Sequence, residues 1–331
     1  MSHELDIRAD GTASMAYVGA HAWHGLGQEL KPGATIEEWQ AAAGMSHTLQ
    51  RSIVRYATER GQGMSAWAEL SDRHVIMRSD TKKGLSIVSD NYKIVQPKAV
   101  LEFFRDMAGK AGLTLETAGV LFEGRQYWAL ARVGEEAQVG QGDTLRSYLL
   151  LSSSCDGSMA TEGRFTSVRV VCNNTLSLSR SRDRAKSKVS HRSVFSPDDM
   201  KEALGISGRD QFSDAMADFR RLADTDLAES EVVQMTVELF KPGAAKLAQD
   251  EYIKAVKSRV VTSVLDLALN GSAKGSALDG IKGTAWGWLN AVTEHVDHKA
   301  RARSEDNRRS SAWFGPGDTI KSRALEMALA A

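Results

Sequence analysis

Apolar residues in the first 195 positions are gathered in short runs of Val, Ile, Leu and Tyr, and Gly, Asp and Asn separate these runs. Such runs are typical of β-strands, because β-branched and aromatic side chains fit a pleated surface. The predicted strands cover residues 75–77, 85–88, 92–95, 125–133, 145–152 and 165–172.

One segment between these runs has the spacing of a helix. Residues 97–111 repeat apolar side chains such as Leu101, Phe104 and Met107 on one face, and Pro97 stands in the first turn. We therefore predict a helix that interrupts the strands.

Helical patterns dominate from residue 196 to residue 331. Ser196 can cap a helix that begins at Pro197, and the predicted breaks fall at residues 205–208, 241–243 and 270–283. Strict alternation of strands and helices with a phosphate-binding glycine loop is missing. The pattern thus predicts an α+β fold, with an antiparallel strand core, an interleaved helix and a mainly helical C-terminal half.

Residues 1–60 are harder to interpret. Thr35 followed by Glu38 has the spacing of a capping box for a short helix. Trp23 and His24 lie in a Gly-rich turn, where they could stack on a base or pack a loop against the core. The predicted organisation is an N-terminal segment over residues 1–60, an α+β core over 61–195 and a helical region over 196–331.

Composition limits the class of protein. The chain has 331 residues, of which 42% are hydrophobic, and its 42 Lys/Arg balance its 42 Asp/Glu. We find no apolar run long enough for a membrane helix and no signal-peptide pattern at the start, and two cysteines do not form a disulfide framework. The expected location is the cytoplasm, without a membrane partner.

Positive charge is concentrated in one segment, residues 180–192, which we call the basic arm. It carries six Lys/Arg and one Asp, although the net charge of the chain is zero. A polar run of this kind has little to bury, so it either forms a solvated linker or binds a polyanion through its cations. The following residues 197–231 reverse the balance, with ten Asp/Glu against four Lys/Arg.

Four stretches of the chain combine uncommon residues in a distinctive way: HAWHGLG, GLSIVSDNYKIVQP, RFTSVRVVCNNTL and GTAWGWLNAVTEHVDHKARARSEDNRRSSAWFG. The combination resembles a phage- and plasmid-like family defined by a domain of unknown function, and the resemblance covers nearly the whole chain. It implies a mobile-element setting, with tasks such as recombination, replication support, counter-defence and host modulation.

More distantly, the order of elements is similar to that of single-strand annealing proteins such as the RecT/Redβ and Erf types. Those proteins assemble a small core of strands and a helix into rings or filaments around a basic groove. The resemblance implies single-stranded DNA as partner, a homo-oligomer, and a phosphate contact by Lys/Arg with occasional aromatic stacking. The candidate nucleic-acid-binding residues are Arg164, Arg169, Arg180, Arg182, Arg184, Lys186, Lys188, Arg192, Tyr127 and Tyr148.

Two alternatives remain open. The acidic residues 197–231 could bind a host protein, which would make the chain an interaction protein. An enzyme is the other alternative: Cys155 could act as a nucleophile with His24, His74 or His191 as base. His295 and His298, three residues apart, could also hold a metal, although no third ligand is evident. The favoured hypothesis needs no cofactor, metal or catalytic residue.

Overall fold

The computed structural model describes residues 7–8, 11–19, 27–58, 66–111, 113–140, 142–169, 175–177, 186–204, 208–278 and 280–331. The chain forms two compact units. The strand-rich unit comprises Met1–Arg132, Leu149–Arg164 and Lys186–Ile206. The helical unit comprises Val133–Tyr148, Phe165–Ala185 and Ser207–Ala331.

The strands are β1 Met15–Val18, β2 Gln28–Leu30, β3 Leu49–Ala57, β4 Trp67–Arg78, β5 Gly84–Ser89, β6 Thr114–Leu121, β7 Gln126–Gln138, β8 Thr144–Ser154, β9 Thr161–Arg169, β10 Thr175–Ser177 and β11 Lys186–Val189. Within the described residues, one sheet has the order β10-β9-β8-β7-β6-β1-β2, with β11 also paired to β9. The other has the order β3-β4-β5. The pair β1–β2 is parallel, whereas β1–β6, β6–β7, β3–β4 and β4–β5 are antiparallel.

The helices are α1 Ile36–Ala43, α2 Pro97–Ala111, α3 Pro197–Leu204, α4 Gly208–Ala223, α5 Glu229–Phe240, α6 Gln249–Val256, α7 Arg259–Leu269, α8 Ala285–Glu294, α9 Glu305–Phe314 and α10 Pro316–Ala330. A π-helical turn, His295–Lys299, directly continues α8. The distribution confirms the predicted α+β class, with largely antiparallel strands first and helices dominating the C-terminal half.

Local signals correctly located several helices. The helix predicted over residues 97–111 is α2. Thr35 caps α1, because its side chain accepts from the Glu38 amide at 3.2 Å while the Glu38 carboxylate accepts from the Thr35 amide at 2.7 Å. Ser196 likewise accepts from the Asp199 amide at 3.2 Å at the start of α3.

The strand predicted over residues 92–95 is wrong. Tyr92 belongs to a turn, and its hydroxyl donates to the Ser154 carbonyl at 2.9 Å. Its ring stacks on His191 with centroids 4.5 Å apart. Residues 92–95 therefore fix a loop to the core and belong to no β-strand of the described structure.

Two tryptophans on α8 organise the core of the helical unit. The Trp286 ring stacks on Phe219 of α4 with centroids 4.9 Å apart, and its indole N–H donates to Asp143 Oδ2 at 2.8 Å. The Trp288 indole N–H donates to Thr236 Oγ1 of α5 at 2.9 Å. Both rings are buried with their polar atom satisfied, so α8 is the central helix of this unit.

Among the described helices, none combines the length and the apolar composition needed to cross a bilayer.

Candidate nucleic-acid interface

The basic arm begins beyond β10 and continues through β11. β10 pairs with β9 over Thr175–Ser177, and β11 pairs with β9 in the register Lys186 to Arg164 and Val189 to Thr161. The strands before and after the connecting residues 178–185 are therefore both hydrogen-bonded to β9. Arg180, Arg182 and Arg184 belong to this connection and lie outside the described residues.

The described part of the arm exposes cationic side chains. Lys188 is exposed on β11, and its ammonium lies 2.9 Å from Glu162 Oε2 on β9. Arg192 is exposed after the end of β11. Lys186 and Arg169 are placed on β11 and β9 by their backbone alone, because their side chains lie outside the described part.

Three predicted contact residues are buried in the described structure. Tyr127 has no exposed surface and its hydroxyl donates to the Val95 carbonyl, while Tyr148 is 5% exposed. Arg164 is 4% exposed and lies 3.8 Å from Glu162. Since a buried ring cannot stack on a base and a buried guanidinium cannot reach a phosphate, we remove these three residues from the interface.

His191 fixes the chain where the arm ends. Its Nδ1 lies 3.0 Å from the Lys93 carbonyl and its Nε2 lies 3.1 Å from the Met159 carbonyl. The same ring stacks on Tyr92, and it is 8% exposed. The C-terminal end of the arm is consequently anchored in the strand-rich unit by a buried side chain.

The helical unit contains a second cationic surface, a cavity of about 540 Å³. Four cations line it: Arg259 at the start of α7, Lys299 at the end of the π-helical turn, Arg301 in the next loop and Arg308 on α9. Its lining includes no Asp or Glu. Its apolar wall is formed by Phe240, Val260, Val296, Pro316 and Ile320.

The cations of this cavity differ in their pairing. Arg308 lies beside Glu305, but its Nε is buried and has no hydrogen-bond partner among the described residues. Arg259, Lys299 and Arg301 are exposed and form no ion pair with any described carboxylate. The cavity thus has a surplus of positive charge that the described protein does not neutralise.

A serine and a histidine meet in the cavity wall. Ser263 Oγ lies 2.9 Å from His295 Nδ1, and His295 is 8% exposed. Burial, with a smaller contribution from Lys299, lowers the pKa of His295 to about 4. At neutral pH the imidazole is uncharged, so it can donate or accept one hydrogen bond but is too weak a base to activate a hydroxyl efficiently.

The π-helical turn explains why His295 and Lys299 reach the same cavity. The Ala300 amide donates to the His295 carbonyl at 2.6 Å, a bond that spans five residues. A turn of this width places an extra residue in the helix, and such turns are frequent at functional sites. Gly317 of α10 completes the wall, because a Cβ there would lie 2.8 Å from Val296 Cγ1.

Cys155 is packed as a structural residue. It has no exposed surface, its thiol donates to the Gly124 carbonyl at 3.7 Å, and burial raises its pKa to about 12. His191 and His74 bond elsewhere, and His24 lies outside the described residues. A buried, protonated thiol that is hydrogen-bonded to neither His74 nor His191 is a weak nucleophile, although Arg125 and Arg78 oppose the rise in its pKa.

The surroundings of His295, one of the two predicted metal ligands, also differ from those of a metal site. In the described ranges, no group of three or more His, Cys, Asp or Glu side chains could hold a metal ion. His295 faces Ser263, and Asp297 forms an ion pair with Lys321 at 2.7 Å.

Sequence patterns alone missed two residues of the cavity. Arg259 and Ser263 lie four residues apart on α7, far along the chain from the basic tail that supplies Lys299, Arg301 and Arg308. The available signal was the tail itself, whose cations follow one another closely along the chain at residues 299–309. No spacing in the sequence links α7 to that tail, because packing brings them together.

The described structure is therefore an α+β protein with cationic surfaces in both units. A family model described as a domain of unknown function, DUF932, matches residues 84–313, more than half of the chain. The chain belongs to the DUF932 family. Its phage and plasmid setting and its likeness to annealing proteins stay predictions. No curated protein and no solved structure matches the chain.

Proposed function

We propose that this protein binds single-stranded nucleic acid through the basic arm and promotes the annealing of complementary strands. The observation that carries the proposal is the density of cations in residues 180–192, in a connection whose flanking strands both pair with β9. β10 before the connection and β11 after it are both held on β9, and β11 leads directly to the exposed Lys188 and Arg192, so a phosphate backbone bound there can meet several cations of the arm.

The proposed mechanism breaks no bond. Lys188, Arg192 and the arginines of the connection hold phosphates, and counterions are released as they do so. Contacts of this kind leave the base edges free to pair with a second strand. The buried Tyr127 and Tyr148 take no part, so binding depends on charge and is insensitive to base sequence.

Binding is tested by fluorescence anisotropy with a labelled oligo-dT across a salt series. Changing Arg180, Arg182, Arg184, Lys186 and Lys188 to Ala weakens binding and flattens the slope of log K against log salt, by roughly 0.7 per lost contact. A matched control changes Lys241, Lys246 and Lys254, exposed lysines of the helical unit, to Ala. An unchanged slope in the arm variant, or an equal loss in the control, contradicts the role of the arm.

Annealing is tested separately by energy transfer between two labelled complementary strands in EDTA. We expect the protein to accelerate duplex formation without a nucleotide and without metal, and the arm variant to lose this effect. Cleavage of the strands, or a strict need for metal, would favour an enzyme instead.

Assembly is the remaining part of the proposal. An annealing protein acts on long strands by aligning many weak sites, so we propose a homo-oligomer in the form of a ring or filament. Light scattering at tens of micromolar protein, with and without oligonucleotide, measures the mass. A monomer under both conditions, together with no affinity for oligonucleotides, would favour binding of a host protein by the acidic residues 197–231.

A further inference from the structure

The cavity of the helical unit has the properties of a small-molecule site. Its volume of about 540 Å³ falls within the roughly 300–1,000 Å³ usual for ligand pockets. Its lining combines apolar side chains such as Phe240, Val296 and Ile320 with four cations. A ligand that fits such a wall has an apolar or aromatic part and an anionic part.

The arrangement of backbone groups favours an anion of compact shape. Arg259 and Val260 open α7, whose N-terminal residue Ser258 makes no side-chain capping bond. The first amides of a helix carry partial positive charge, and an uncapped start leaves them available. The exposed Arg259 stands at this point with a guanidinium that suits the oxygens of a phosphate.

The wall of the cavity also provides a neutral hydrogen-bonding pair, Ser263 and His295, whose Oγ and Nδ1 are 2.9 Å apart. In either tautomer of the imidazole this pair keeps one donor that its own hydrogen bond does not use, the Ser263 hydroxyl or the Nε2–H of His295. A phosphate oxygen beside the pair would accept that hydrogen bond in addition to the charge of the cations. A hydrophobic ligand alone would offer this donor no acceptor, which costs free energy in a buried place.

We propose that this cavity binds a nucleoside phosphate, with the phosphate on Arg259, Lys299, Arg301 and Arg308 and the base against Phe240. The site lies in the helical unit and goes beyond the strand-binding function of the basic arm. The same chemistry occurs in a free nucleotide and in the terminal nucleotide of a strand, so the test compares both.

The test uses isothermal titration calorimetry on the full chain with adenosine 5′-monophosphate, adenosine, inorganic phosphate and oligo-dT. We expect the monophosphate to bind at least about tenfold more tightly than adenosine, because adenosine lacks the charge-assisted hydrogen bonds of the phosphate. Arg259→Ala and Lys299→Ala each lower the affinity for the monophosphate about tenfold or more. Since both side chains are exposed, neither change removes a packed group.

Two further variants separate the parts of the site. Phe240→Leu is expected to weaken the binding of the monophosphate more than the binding of inorganic phosphate. Arg303→Ala is the matched control, since Arg303 is an exposed cation of the same tail that does not line the cavity. It leaves the affinity unchanged.

Three results would overturn the proposal. They are equal affinity for adenosine and its monophosphate, an equal effect of Arg303→Ala and Arg259→Ala, and binding of oligo-dT at the cavity without binding of the mononucleotide. The last result would make the cavity part of the strand-binding surface. The outcome is independent of the arm, because the arm variant with five substitutions keeps every lining residue of the cavity.

Discussion

His47 in the strand-rich unit and His295 in the helical unit are both buried, and burial lowers the pKa of each to about 4. Their neighbours differ. His47 packs against Gly124, where a Cβ would lie 3.2 Å from its ring, and its charged neighbours are Arg78 and Asp80. His295 bonds to Ser263 and lines a cavity with four cations.

The comparison teaches that a strongly shifted pKa does not by itself identify a site. Desolvation acts in the same way on both rings, and Arg78 and Lys299 lower the pKa further in the two places. What distinguishes His295 from His47 is the cavity beside its ring together with the cations Arg259, Lys299 and Arg301, which form no ion pair with any described carboxylate. The molecule also offers two ion pairs of opposite exposure: Arg55–Glu69 in the strand-rich unit has both side chains more than half exposed, whereas Lys321–Asp297 in the helical unit is buried.

The largest effect is expected at the buried ion pair of the helical unit. The side chains of Lys321 and Asp297 are 3% and 1% exposed, and their charged atoms are 2.7 Å apart. Lys321→Met leaves the carboxylate buried without its cation, which lowers the free energy of unfolding by about 3–5 kcal/mol. Denaturant unfolding monitored by tryptophan fluorescence measures the loss. A loss below about 1 kcal/mol would mean that the pair behaves as a surface pair.

The two histidines give the next largest effect, through pH. Each has a pKa of about 4 in the folded protein, below the ordinary 6.5, so the unfolded chain binds more protons between these values. Stability is complete above pH 6.5 and falls as the pH drops to 4, by about 3 kcal/mol for each ring. His47→Gln and His295→Gln each flatten part of this slope in denaturant unfolding between pH 4 and 7. An unchanged slope in both variants would contradict the burial of the rings.

A smaller effect separates the histidines directly. A phosphate-bearing ligand in the cavity favours the charged imidazole of His295, so we expect adenosine 5′-monophosphate to raise its pKa from the value of about 4. The pKa of His47 is expected to stay unchanged, because His47 does not line the proposed nucleotide cavity. NMR titration of the ring Cε1–H signals follows both residues in one sample. Equal responses of the two rings would remove the distinction drawn between them.

The smallest effect concerns an exposed pair of the strand-rich unit. Arg55 Nη2 lies 2.9 Å from Glu69 Oε1 across β3 and β4, with both side chains more than half exposed. Arg55→Ala changes the free energy of unfolding by about 1 kcal/mol or less, because solvent screens the pair. A loss comparable to that of Lys321→Met, measured in the same unfolding experiment, would show that exposure does not decide how much these two ion pairs contribute to stability.

The parts of the fold that could be predicted best are helix starts, because one or two residues near each start determine where the helix begins. Pro97 opens α2, Thr35 with Glu38 begins α1, and Ser196 precedes α3. β4 was predicted only over residues 75–77, and β3 and the first part of β4 gave no such signal, since most of their side chains are exposed and the hydrophobic pattern is weak. β1 and β2 are too short to show one.

The candidate sites were predictable to a smaller extent. Charge located the arm, because a cationic run is visible without knowledge of packing. Burial could not be read from Tyr127 and Tyr148, since an aromatic side chain in a strand suits either face of a sheet. The cavity depends on α7, α9 and the π-helical turn meeting in space, and a linear pattern contains no such information.

Because of the π-helical turn, the positions of Lys299 and Arg301 depend on the number of residues in this segment. A π-helical turn holds one residue more than an α-helical turn, so removing one residue from His295–Lys299 would restore α-helical winding. Without the wide turn, Lys299 and Arg301 would change their positions relative to Arg259 with no substitution at all. Natural variants of this chain should therefore tolerate exchange of amino acids in the turn more readily than a change in its number of residues.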